Sequence, residues 1–159
     1  MIKHPFEPVF DGKSKILILG SFPSVKSREE LFYYGNPQNR FWKVLAAVFG
    51  EDAPKTVKEK KRFLLDNRIA LWDVVSSCEI EGSADSSIKN VRANDLSVIF
   101  DKADIKQVFV NGKTAERYYN KFLRKNTGKD AVCLPSTSPA NAKKSFEELC
   151  REWKIIVEI

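Results

Sequence analysis

Two asparagines stand where a chain can aim a fixed hydrogen-bond donor at a ligand. Asn39 closes the run Tyr34-Gly35-Asn36-Pro37-Gln38-Asn39 just ahead of an apolar-periodic stretch that opens at Phe41, and Asn111 follows the apolar run that ends at Val110. A side-chain amide offers two donors and an acceptor and does not titrate. It can read the edge of a ring, stabilise negative charge developing on a leaving group, or hold a water for attack. The same residue types also serve structure. Asn39 fits an N-cap, Asn111 a capping or left-handed residue before a helix, and Asn36, beside Pro37, a turn. Tyr33 and Tyr34 offer aromatic faces, one for a planar ligand and one for the core. Asp73 ends a second apolar run, where a carboxylate can accept a hydrogen bond, order a water or cap a loop.

The elements that must position these residues are read from alternating apolar runs and helical periods. Ile16 to Leu19 lacks polar alternation, as expected of a parallel strand buried on both faces. Gly20 then opens a polar and aromatic loop that runs to Asn39. Phe41, Val44, Leu45 and Val48 fall at helical spacing, with Gly50 as a stop. Thr56 to Asn67 predicts a charged helix, in which Lys58-Glu59-Lys60-Lys61-Arg62 reads as a solvated face. Arg68 to Trp72 predicts a second strand, and Ser76 to Asn90, without a clear period, mostly loop. Asp95 to Phe100 reads as a helix, Gln107 to Val110 as a third strand, Gly112 to Lys125 as a helix and Ala131 to Leu134 as a fourth strand. After the loop Pro135 to Asn141 come a last helix, Lys143 to Trp153, and a final strand, Lys154 to Ile159. The pattern predicts a three-layer α/β/α sandwich with a mainly parallel central sheet, as one domain over residues 1–159. Gly20, Asp73, Asn111 and Pro135 each follow a predicted strand directly. They should therefore gather along one edge of the sheet, where open α/β sheets hold ligands.

Gly20-Ser21-Phe22-Pro23-Ser24 followed by Tyr34-Gly35-Asn36-Pro37-Gln38-Asn39-Arg40-Phe41-Trp42 resembles the first motif of the uracil-DNA glycosylase superfamily. Within it the stretch is similar to the hypoxanthine-DNA glycosylases, with the mismatch-specific uracil/thymine glycosylases next. Ala70-Leu71-Trp72-Asp73, Val110-Asn111-Gly112-Lys113 and Leu134-Pro135-Ser136-Thr137-Ser138-Pro139-Ala140-Asn141 resemble further motifs, in the same order. The resemblance implies a uracil-DNA glycosylase-like fold and a catalytic pair of asparagines, Asn39 and Asn111, the second also contacting the base. It makes Tyr34 the ring on which a flipped base stacks, with Ser21, Phe22 and Asp73 completing the base pocket. Pro135, Ser136, Thr137, Ser138, Pro139 and Asn141 would form the loop that enters the DNA and props the gap open. The implied activity is a monofunctional hydrolase that removes hypoxanthine from damaged DNA as a monomer and needs no cofactor or metal; a cytoplasmic location is expected from the lack of a membrane-length apolar run or signal-peptide core.

Two positions depart from the wider superfamily. Phe22 stands where the mismatch-specific branch carries a water-activating Asn, and Leu134 where many members carry a His. A phenyl ring can neither orient nor deprotonate water, which argues against efficient uracil excision. The only histidine, His4, lies in the lead-in and is expected to be inert. A mismatch-specific uracil glycosylase and a catalytically silent damage-binding module are the alternatives.

Composition narrows the classes further. Twenty-seven Lys and Arg against 21 Asp and Glu give a net charge of +6, which favours a polyanionic partner. No apolar run approaches bilayer-spanning length, so no membrane association is expected. Cys78, Cys133 and Cys150 are odd in number and widely spaced, which fits neither a disulfide framework nor a metal or iron–sulfur site. Walker, dinucleotide-fingerprint, zinc-helix and nucleophile-elbow motifs are absent. Gly82 to Ser87 is small and polar enough to meet phosphate.

Overall fold

Four parallel strands set the frame of the molecule. The computed structural model describes residues 1–159, with strands β1 (Ile2–Lys3), β2 (Ile16–Gly20), β3 (Ile69–Asp73), β4 (Val75–Glu79), β5 (Lys89–Ala93), β6 (Gln107–Asn111) and β7 (Ala131–Leu134). The helices are α1 (Val25–Glu30), α2 (Phe41–Phe49), α3 (Val57–Asp66), α4 (Ser97–Phe100), α5 (Lys113–Phe122), α6 (Arg124–Thr127) and α7 (Phe146–Trp153). The central sheet runs β3-β2-β6-β7 and every pairing in it is parallel. Both faces are covered by helices, so every residue of β2 and β3 is buried. This explains why those runs show no polar alternation. Each fully buried Leu or Ile contributes about 1.5–3 kcal/mol of hydrophobic stabilisation.

The strand order fixes the place for a ligand. From β2 the chain steps to β3 on one side, then crosses to β6 and β7 on the other. The reversal therefore falls between β2 and β6, and a crevice opens at the carboxyl ends of those two strands. The register aligns the critical residues there. Gly20 pairs with Asp73, Leu19 with Val110 and Asn111 with Leu134. The four strand-end motifs thus form one row across the sheet, as the sequence predicts.

Helices α2 and α7 pack on each other, with Phe41 edge-on to Trp153 at 5.9 Å. Helix α5 lies against β6 and β7, and α3 against β3. No helix is long and apolar enough to cross a membrane.

Three segments differ from expectation. The loop after Gly20 contains α1, capped by Ser24, whose hydroxyl accepts from the Ser27 N–H. Ser76 to Asn90 is not mostly loop: β4 and β5 pair antiparallel, β1 pairs with β4, and a 3-10 turn at Asp85–Ser87 lies between. Lys154 to Glu158 forms a 3-10 helix that continues α7, not a strand. The edges of the parallel sheet are β3 and β7, and this segment packs instead on α2, burying Ile156.

Candidate active site

A cleft of about 710 Å³ opens at the carboxyl ends of β2 and β6, within the range of roughly 300–1,000 Å³ typical of small-molecule sites. Both Asn39 and Asn111 line it, together with Ser21, Phe22, Tyr34 and Asp73. The base-pocket residues expected from the sequence therefore meet in one cavity.

Asn39 is held by its oxygen. Oδ1 accepts the backbone N–H of Phe41 at 3.0 Å and the Thr137 hydroxyl at 2.8 Å. A backbone N–H can only donate, so this contact settles the orientation of the amide. The Nδ2 group donates to no protein acceptor and remains a free donor on a residue that lines the cleft. Asn39 is not the N-cap of α2, which is Arg40; it stands one residue earlier, where its oxygen takes the first helical N–H while its amide is presented to the cleft.

Asn111 lines the cleft as expected, but its amide is engaged within the protein. Its Nδ2 donates to the Tyr34 hydroxyl at 3.1 Å and to Thr137 Oγ1 at 3.0 Å, and its Oδ1 accepts the Thr137 N–H at 3.1 Å. Both amide hydrogens are committed inside the protein, so the side chain is a strut between the Tyr34 loop and the loop after β7. Gly112 lets that strut form. It has φ +94°, and a Cβ there would lie 3.1 Å from Ser136 Cβ, a fit that only glycine tolerates.

Thr137 joins the two amides. It is fully buried, accepts from Asn111 and donates to Asn39, giving the chain Asn111 Nδ2–H···Oγ1–H···Oδ1 Asn39. Expected among the DNA-contacting residues, Thr137 instead faces inward with its hydroxyl consumed. The rest of that loop is stiffened from within. Asn141 Nδ2 donates to the Ser136 carbonyl, the Ser138 N–H to Ser136 Oγ, and Trp153 Nε1 to the Pro135 carbonyl. Arg40, not singled out from the sequence, donates to the Asn141 and Lys144 carbonyls and fastens the loop to the start of α2. Ser136, Ser138 and Pro139 line the cleft, whereas Pro135 and Asn141 lie behind it as supports. Pro139 is exposed at the tip.

Tyr34 stacks on Phe41 with ring centroids 3.9 Å apart and an interplanar angle of 18°. Burial, then the charge of Asp73, pushes its hydroxyl well above the ordinary tyrosine range, so it is a neutral donor. Tyr33 is the core member of the pair, buried, with its hydroxyl on the Glu7 carbonyl at 2.7 Å. Phe22 lies with the Arg28 guanidinium over its ring, 5.7 Å from the centroid.

Asp73 ends β3 with its carboxylate buried, and Oδ2 accepts from His4 Nε2 at 2.7 Å. His4, expected to be inert, is thus part of the site's support. It arrives because β1 pairs with β4 and the His4 N–H bonds the Ser76 carbonyl at 2.7 Å. The sequence carries no signal for this contact across 69 positions.

At the opposite wall, Ser21 donates to Asp85 Oδ1 at 3.0 Å. Desolvation pushes the Asp85 carboxyl above its usual range, the Ser21 hydrogen bond opposes this, and the Asp73 charge adds to the rise. An acid at this position makes the Gly82–Ser87 segment a poor phosphate cradle.

A family model described as the uracil DNA glycosylase superfamily matches residues 7–156. The chain belongs to this superfamily. A glycosylase so identified cleaves the N-glycosidic bond of a base in DNA, and damaged DNA is its substrate. The glycosylase is 38% identical over 158 residues to a protein named hypoxanthine DNA glycosylase from Methanosarcina acetivorans, covering 98% of each chain. It is 37% identical over 155 residues to another of that name from Methanosarcina barkeri, covering 96% of each. Its fold also matches the solution NMR structure of a Methanosarcina acetivorans protein described as a candidate uracil DNA glycosylase. That match has a TM-score of 0.84 and 36% identity, over 99% of this glycosylase and 97% of that chain.

Proposed function

We propose that this glycosylase removes hypoxanthine from deoxyinosine in DNA, leaves an abasic site, and uses the free amide of Asn39 to stabilise the departing base. The observation that carries the reading is the fixed orientation of that amide. Its oxygen is held from two sides, so Nδ2 faces the developing negative charge without having to reorganise. A group locked in this way costs no further ordering when the bond breaks, which is where differential stabilisation of the transition state arises.

Tyr34 supplies the face on which the extruded base stacks. Its other face is taken by Phe41, which keeps the ring in place. Stacking is worth roughly 1–3 kcal/mol per base and discriminates weakly. Asn111 acts as a positioning residue, because its hydrogens are spent on Tyr34 and Thr137. The stiffened loop at Ser136 to Pro139 meets the DNA beside the gap. The two relatives named hypoxanthine DNA glycosylase support hypoxanthine as the substrate. The cleft lining holds no lysine that could form an imine with the sugar, which supports simple hydrolysis.

Asn39→Asp tests the reading against a purely structural role. Aspartate keeps the acceptor for the Phe41 N–H and the Thr137 hydroxyl, but replaces the free donor by negative charge. The expected outcome is an unchanged melting temperature with base release from an inosine-containing duplex lowered by about 10² or more. A variant that melts normally and still releases hypoxanthine at the original rate leaves Asn39 as a structural support alone.

A further inference from the structure

Stabilising the leaving base is half of a hydrolysis; a nucleophile must also be oriented and relieved of a proton. The cleft lining holds two carboxylates, Asp73 and Asp85, and no histidine or lysine. Asp85 is exposed at the wall and already receives the Ser21 hydroxyl. Asp73 is buried on the floor, at the end of the strand beside Gly20.

The geometry around Asp73 is specific. Its Oδ2 takes the His4 Nε2–H at 2.7 Å, while its Oδ1 receives no donor from the protein. Oδ1 and the Tyr34 hydroxyl lie 2.5 and 2.8 Å from the point where Gly20 would carry a Cβ. Glycine therefore lets an acceptor and a neutral donor close in side by side on the backbone at the cleft lining, and such a pair of groups can orient a water molecule. A buried carboxylate needs more than one donor, and the unpaired Oδ1 of a residue that lines the cleft is where the next one binds.

His4 is built into place. Its side chain is 4% exposed, and its ring meets Phe6 edge-on at 4.6 Å and Phe22 edge-on at 6.0 Å. The Phe6 N–H approaches Nδ1 at 3.5 Å, so the proton sits on Nε2 and points at Asp73. Asn94 secures the same residue from the other side, its Nδ2 donating to the Asp73 carbonyl at 2.8 Å.

We propose that Asp73 holds and deprotonates the water that attacks the sugar, and that His4 is the positioning residue that aims its carboxylate. The proposal rests on the glycosylase reading of the cleft. In the step, the water oxygen bonds to C1′ as the C1′–N bond breaks. The bonding pair leaves with the base, towards Asn39 Nδ2, and the water proton passes to Asp73 Oδ1. The sugar is left as the hemiacetal of an abasic site, and Asp73 returns its proton to the departed base or to solvent.

The test is single-turnover base release from an inosine-containing duplex with enzyme in excess, alongside duplex affinity, for the full chain. Asp73→Asn keeps the acceptor for His4 and should lower the rate by about 10²–10⁴ with duplex affinity within a few-fold of wild type. His4→Phe keeps a ring and removes the donor; His4→Gln restores a donor. Gln should release base at least tenfold faster than Phe, a rescue that mere filling of space does not give. An Asp73→Asn variant as fast as wild type overturns the proposal. If that variant also loses duplex binding, the His4 pair decides, and equal rates for Gln and Phe overturn it. A wild-type protein that releases no base defeats the glycosylase reading itself, whereas an active wild type beside an equally active Asp73→Asn defeats this proposal alone.

Discussion

Thr137→Val separates the positioning chain from the packing around it. Valine matches the shape of threonine but removes the hydroxyl that links Asn111 Nδ2 to Asn39 Oδ1. One Asn111 hydrogen then has no acceptor at a fully buried neighbour, which costs about 1–3 kcal/mol. For a chain of this size about 2 kcal/mol lowers the melting temperature by roughly 4–8 °C. Asn39 keeps only the Phe41 N–H as an anchor and can swing about it. A displacement of the order of 1 Å at a reacting group is worth up to about 10² in rate, so base release should fall by roughly 10–100-fold. Thr137→Ser supplies the contrast. It keeps the hydroxyl and loses a buried methyl, at about 1 kcal/mol and 2–4 °C, with a rate close to wild type. Thermal melts and single-turnover release of hypoxanthine from a duplex check both variants. If Val and Ser lose rate in proportion to their loss of melting temperature, or if Val is as fast as wild type, the hydroxyl does not orient the catalytic amide.

Two more perturbations address the floor and the wall of the cleft. Gly20→Ala places a methyl 2.5 Å from Asp73 Oδ1 and 2.8 Å from the Tyr34 hydroxyl. It should cost about 1–3 kcal/mol through overpacking and slow base release; an alanine variant with both groups undisplaced in its structure and full activity contradicts this. Asp85 has a carboxyl raised by desolvation, with the Ser21 hydrogen bond opposing and the Asp73 charge adding. Its ionisation therefore works against folding, and the contribution it makes when protonated is lost as pH rises through the folded value. Because the residue is exposed, solvent screens most of this effect, and Asp85→Asn should melt only slightly higher than wild type at pH 7, with the gap closing at pH values below the ordinary carboxylate range; melts across that range check the sign.

The parallel sheet was legible because Ile16 to Leu19, and Ile69 to Trp72 after Arg68, are short apolar runs without alternation, as two-sided burial of a strand produces. The gathering of Gly20, Asp73, Asn111 and Pro135 followed from strand order alone. Ser76 to Asn90 gave no period because the β4–β5 pairing changes register between Val75 and Ser77 and again between Ser77 and Glu79. Each irregularity shifts the side-chain alternation that a sequence reading relies on. Lys154 to Ile159 misled for the opposite reason. Ile155, Ile156 and Val157 favour a strand, but the Lys154 N–H continues the α7 ladder by bonding the Cys150 carbonyl, and packing decides the conformation over propensity. His4 was invisible because a two-residue strand has no periodicity, and its partner is reached only through the fold.

The site divides its labour by how each residue is held. Side chains anchored at every polar atom, such as Asn111 and Thr137, cannot meet the substrate through those atoms and act by fixing others. Side chains anchored on one side only, Asn39 by its oxygen and Asp73 by Oδ2, keep an unspent donor and an unspent acceptor respectively. The same chemical types thus take different roles, and composition alone cannot tell them apart. The amide and the carboxylate line one cleft, Asp73 at the end of β3 and Asn39 bonded to Thr137 in the loop after β7. In the proposed step the departing base meets the donor of Asn39 and the attacking water the acceptor of Asp73, so hydrolysis of the C–N bond draws on both unspent groups.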